Sequence, residues 1–135
     1  MVEPAIIPEK LRAFVERALH FASSQLALHD VFYPYAAVCD RGEFRCVMTD
    51  HHPNATQPSE MIEMLQWRLI DIAQERPVQT ALVYAATLAN DDKSMQNAVA
   101  IELTDEIDNS YFYVFAYRKS DGQILFSRPL TENSN

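Results

Sequence analysis

Between Pro8 and Leu28 the apolar residues recur at three- and four-residue steps: Leu11, Phe14, Val15, Ala18, Leu19, Ala22 and Leu26. That period places them on one face of a helix, with Arg12, Glu16, His20 and Ser23 on the other. Pro8 suits the first helical position, where its missing N–H is no loss. Val31-Phe32-Tyr33-Pro34 then breaks the helix, and the pattern becomes strand-like over 35–40 and 44–48. Between these runs Asp40-Arg41-Gly42-Glu43 reads as a hairpin turn. A polar loop follows, Asp50-His51-His52-Pro53-Asn54-Ala55-Thr56-Gln57-Pro58-Ser59. A second helix is predicted over 59–75, with Met61, Ile62, Leu65, Leu69, Ile72 and Ala73 as its core face and Pro77 as its stop. Four more strands are predicted over 78–89, 96–104, 111–119 and 124–128. Within the third, Tyr111, Tyr113, Phe115 and Tyr117 alternate onto one face. Ser120-Asp121-Gly122-Gln123 is a second hairpin turn.

The order is therefore α-β-β-α-β-β-β-β. Short polar connections favour antiparallel neighbours, because a parallel pair needs a long crossover. The expected fold is a single α+β domain over 1–135, with one antiparallel sheet of about six strands and both helices packed on one face. Alanines recur in the later strands at Ala81, Ala85, Ala98, Ala100 and Ala116. With both helices on one side, the other face of the sheet would remain apolar, and a homodimer would bury it.

Composition narrows the classes. The chain has 135 residues, 48% of them hydrophobic, so it can bury a core without disulfides or a structural metal. Its formal net charge of −8 repels a phosphate backbone and argues against a nucleic-acid partner. No apolar run reaches the length of a membrane-spanning helix, so no membrane partner is expected. The N-terminus lacks the basic start and apolar stretch of a secretory signal, which makes the cytoplasm the expected location. Cys39 and Cys46 then read as reduced, half-buried thiols on the two arms of one hairpin. Asn54-Ala55-Thr56, a glycosylation acceptor in form, has meaning only in a secreted protein.

Candidate chemistry is sparse. The only glycines are Gly42 and Gly122, so no glycine-rich phosphate loop can be built. Asp50-His51-His52 could ligate a divalent metal, and a small metal-dependent hydrolase could use it. Neighbouring side chains on an extended segment point opposite ways, however, and no HxH or HxxxH spacing accompanies them. His20 and His29 do not share a face. No catalytic signature surrounds either cysteine, and Ser23, Ser24 and Ser59 lack a nucleophile-elbow context. Glu102, Asp105, Glu106 and Asp108 form an acidic group near a strand end, which reads as a solvated turn rather than an acid–base pair. The tyrosine row could stack bases, but only Arg118, Lys119 and Arg128 lie near it in sequence, so sheet packing is the simpler reading. No cofactor is expected.

One feature of the second helix resists the core reading. At 100° per residue, Met61, Leu65, Leu69 and Ile72 cluster on one side. Trp67 and Ile70 point away, among Glu60, Glu63, Asp71 and Gln74, with Met64 at the margin. Tryptophan on a polar helix face reads either as a contact surface or as a side chain covered by the loop before the 78–89 strand or by Ala5-Ile6-Ile7.

The runs Phe32-Tyr33-Pro34-Tyr35-Ala36-Ala37-Val38, Asp40-Arg41-Gly42, Ala81-Leu82-Val83-Tyr84 and Asn97-Ala98-Val99-Ala100-Ile101-Glu102-Leu103 resemble a group of small bacterial α+β proteins of similar length. That resemblance spans most of the chain and implies a fold but no activity or functional residue. In size and acidity the chain is also similar to toxin-immunity proteins and to secretion chaperones, although the latter end in a helix and this chain ends in a strand and the polar run Thr131-Glu132-Asn133-Ser134-Asn135. The sequence thus points to a non-enzymatic protein-binding or adaptor protein. It would be a homodimer that also meets a basic protein partner, with Trp67, Ile70 and Met64 as contact residues. The alternatives are the Asp50-His51-His52 hydrolase and a small-molecule sensor with its ligand held between sheet and helices.

Overall fold

The computed structural model describes residues 2–28, 32–47 and 57–132. The Asp50-His51-His52 segment, His29 and the glycosylation-like Asn54 lie outside them. The elements are β1 (Val2–Pro4), α1 (Glu9–Leu28), β2 (Tyr35–Asp40), β3 (Glu43–Val47), α2 (Pro58–Glu75), β4 (Gln79–Ala89), β5 (Met95–Thr104), β6 (Ser110–Ser120), β7 (Gln123–Phe126) and β8 (Leu130–Glu132). One antiparallel sheet of 8 strands takes them all, in the order β1-β8-β6-β5-β4-β2-β3, with β7 paired to the far end of β6.

The second helix begins and ends as the chain chemistry directs. Pro58 sits in the first turn of α2, and the backbone at Arg76 is extended just ahead of Pro77. The buried face of α1 is Leu11, Phe14, Val15, Ala18, Ala22 and Leu26. That of α2 is Met61, Leu65 and Leu69, whereas Ala73 is exposed.

The strand register decides where the helices go. Successive side chains on a strand point to opposite faces. Tyr35, Ala37, Ala81, Val83, Val99, Ile101, Leu103, Tyr113 and Phe115 join Phe14, Val15, Ala18, Ala22 and Leu26 of α1 in one core. Ala36, Val38 and Leu82, the alternate positions of the same strands, join Leu65 and Leu69 of α2 in a second. The helices therefore lie on opposite faces of the sheet, not on one face as the sequence suggested. The cause is that β2 and β4 are apolar at consecutive positions: Tyr35, Ala36, Ala37 and Val38 are all buried, as are Ala81, Leu82 and Val83. Such a run belongs to a strand covered on both sides.

Two strands beyond the expected six, β1 and β8, complete the sheet. Ser127 carries the ladder past the break between β7 and β8. Its N–H donates to the Ala116 carbonyl at 2.8 Å, and its hydroxyl accepts the Ala116 N–H at 3.0 Å. Leu130 then pairs with Val114, and β1 pairs with β8. Inside the core, the Tyr35 hydroxyl donates to the Ala18 carbonyl of α1.

Both glycines sit in tight hairpin turns, and the turns differ instructively. Each has two successive residues with positive φ: Arg41 (53°) with Gly42 (83°), and Asp121 (53°) with Gly122 (77°). A turn of this kind favours Asn or Asp before the glycine, since their short polar side chains tolerate the left-handed region. Asp121 obeys that preference, whereas Arg41 occupies a conformation that costs a residue of its type about 1 kcal/mol.

Candidate functional site

Trp67, Ile70 and Met64 all lie on the outer side of α2 and are 61%, 46% and 43% exposed. The structure thus places the three residues singled out in the sequence on one solvent-facing flank of the helix. Beside Trp67 and Ile70 a groove of about 680 Å³ runs between α2 and the sheet. Ile62, Leu69 and Leu82 supply its apolar wall, while Glu63, Glu102 and Asp108 stand along it without a lysine or arginine. The groove exists because α2 packs on β2 and β4, leaving the β5 and β6 part of that face without a described helix over it.

That half of the sheet carries small side chains noted in the sequence, and they are buried. By register, Ala98, Ala100, Val114 and Ala116 share a face with Tyr84 and Leu82. Burial pushes the Tyr84 hydroxyl up to about 12, and the neighbouring Glu102 carboxylate adds to the shift.

The remaining sequence candidates fall elsewhere. Tyr113 and Phe115 are buried on the α1 face, and Tyr111 and Tyr117 are half-buried beside them. Tyr111 stacks on Tyr113 with centroids 6.4 Å apart, and Tyr117 meets Phe126 edge-on at 6.1 Å. The tyrosine row is therefore core packing. Cys39 and Cys46 are free and half-buried; burial raises the Cys46 thiol, with Arg17 pulling weakly the other way. Among the described residues no cluster of three or more His, Cys, Asp or Glu could hold a metal. No described helix is long and apolar enough to cross a membrane.

The acidic group resolves into a structural node. Asp105 is buried and accepts hydrogen bonds from Lys10 Nζ (2.7 Å), the Asn109 N–H (2.9 Å), the Ile107 N–H (3.1 Å) and Asn109 Nδ2 (3.2 Å). The Lys10 bond above all holds its carboxyl well below the usual range. Glu106 and Asp108 are exposed, so no carboxylate pair is set up for acid–base chemistry.

A second concavity went unnoticed in the sequence. It measures about 540 Å³ and lies between α1 and the β2–β3 turn, where Lys10, Arg17 and Arg41 meet Phe14 and Phe44. The one local signal for it was an arginine, rather than Asn or Asp, ahead of the turn glycine.

No family model matches the chain, and no curated protein or solved structure does either.

Proposed function

We propose that this is a non-enzymatic protein-binding adaptor that uses the outer flank of α2 and its groove to hold an amphipathic, basic segment of a partner protein. The observation that carries this reading is the pairing of an exposed tryptophan with an apolar groove whose only charged residues are carboxylates. Buried aromatic anchors dominate protein interfaces, and a charge-complementary rim speeds the encounter. The reading also takes the protein to be a homodimer. On this reading the protein works in the cytoplasm, alongside the small bacterial α+β proteins it resembles.

Trp67 is the chain's single tryptophan, so its fluorescence reports directly on the flank. An amphipathic Lys/Leu helical peptide should shift the emission to the blue in a saturable way at low salt. Glu63→Lys with Glu102→Lys, which reverses the charge along the groove, should abolish it. Sedimentation velocity across a concentration series tests the dimer separately. Emission that stays that of an exposed indole with the basic peptide present would refute the partner reading. A monomer at every concentration would refute the dimer.

A further inference from the structure

The chain's net charge of −8 hides a local reversal at the cavity between α1 and the β2–β3 turn. Lys10, Arg17 and Arg41 line it against one carboxylate, Glu106. Lys10 is already paired with Asp105 at 2.7 Å. Arg17 and Arg41 form no ion pair with any described residue. The Arg17 guanidinium instead lies over the Phe44 ring, 5.1 Å from its centroid. Phe44 meets Phe14 edge-on at 5.7 Å. The result is an aromatic corner in which Phe14 is buried, Arg17 lies over the half-buried Phe44 ring, and Arg41 lines the same cavity.

Arg41 adds an independent observation. It stands at φ 53° where the sister turn uses Asp121 at the same φ. Such conformations cluster at functional sites, although Lys93 also adopts one, at φ 70°, in the turn between β4 and β5. Asparagine or aspartate would relieve the strain at this position, but neither would bring a positive charge to the cavity. The cavity volume, about 540 Å³, lies in the range that takes a small organic ligand.

We propose that this cavity is a binding site for a small organic anion: an apolar or aromatic body lying against Phe44, with a carboxylate or phosphate held by Arg17 and Arg41. Guanidinium groups suit that task because their fork of N–H donors matches the oxygens of either anion. The site is separate from the α2 flank and stands whether or not that flank binds a protein.

The test is a titration of the full chain with 2-naphthoate, followed by two-dimensional amide NMR. The neutral 2-naphthamide, inorganic phosphate and an oligoglutamate peptide serve as parallel arms. Saturable shifts are expected at Ala13, Gly42 and Gln79, with 2-naphthamide and phosphate each at least about tenfold weaker, as loss of one charge-assisted or apolar contact implies. Arg17→Gln should weaken 2-naphthoate by a similar factor. Arg41→Asn separates binding from folding. It should raise the melting temperature by relieving the turn and yet weaken the ligand about tenfold. The proposal is overturned by unsaturated or absent shifts up to about 10 mM, by equal affinity for the amide, or by unchanged affinity in Arg41→Asn. Tighter binding of oligoglutamate than of 2-naphthoate would overturn it in favour of an acidic-peptide dock.

Discussion

Replacing Trp67 by alanine should leave the folded chain almost as stable as before, whereas the same truncation two residues earlier should cripple it. Trp67 is 61% exposed and Leu65 is 1% exposed. Leu65 packs with Leu69 against Ala36, Val38 and Leu82. Its truncation removes buried methyl groups and leaves a cavity, which costs about 3 kcal/mol. For Trp67 the lost contacts are those of a surface residue. Alanine also exceeds tryptophan in helix propensity by up to about 0.7 kcal/mol, so the net change should stay within about 1 kcal/mol. Urea unfolding followed by far-ultraviolet circular dichroism reads both variants without needing the tryptophan. At low protein concentration, where association adds no stability, Leu65→Ala should lower the melting temperature by about 10 °C and Trp67→Ala by no more than about 3 °C. A loss of more than about 2 kcal/mol for Trp67→Ala under those conditions would refute the reasoning. It would make the indole part of the chain's own core, and the α2 flank would no longer be a surface held in reserve for a partner.

Three further outcomes are expected. Asp105 has its carboxyl depressed in the folded state, so its contribution is present above its ordinary value of 3.8 and fades as pH falls below it; Asp105→Asn should lower stability at neutral pH and flatten the acid limb of a pH–melting curve. Burial raises the hydroxyls of Tyr35 and Tyr84, the latter to about 12. Folding therefore holds protons that the unfolded chain releases, and stability should decline above about pH 10, by up to about 1.4 kcal/mol per pH unit for the fully buried Tyr35. Tyr35→Phe should remove that share of the decline at a cost of about 1 kcal/mol at neutral pH, because the Ala18 carbonyl loses its hydroxyl donor. Cys46, with its thiol raised by burial, should react with a disulfide reagent more slowly in the native protein than in urea; equal rates would contradict the burial.

The elements were legible where the pattern is local. The three- and four-residue steps from Leu11 to Leu26 fixed α1 to within a residue of its observed start, and the two glycines fixed both hairpin turns. Two readings failed for different reasons. β1 and β8 are three residues each and join through pairing between distant segments, supported by the Ala5 N–H donating to the Pro129 carbonyl at 3.0 Å. Pro4 and Pro129 argue against a strand when only the local sequence is considered. The helix placement failed because the apolar run Tyr35-Ala36-Ala37-Val38 was weighed as one arm of a hairpin with a single buried face. Its lack of alternation was itself the sign of cover on both sides. On the α2 flank, Trp67 stood out because a helix of known period has a computable polar side. The α1 cavity did not, since Arg17 and Arg41 are brought together by tertiary packing. Lys10 and Asp105 meet across 95 residues for the same reason.

The alternation along β4 means that its reading frame has a parity. Gln79 borders the cavity under α1, and Thr80, its immediate neighbour, borders the groove under α2. Removing one residue just ahead of this strand would trade the two faces, delivering Thr80 and Leu82 to the α1 side and Ala81 and Val83 to the α2 side. Removing two would keep every side chain on its own face and merely slide the strand. Length variation at this strand is therefore tolerable in even steps and ruinous in odd ones.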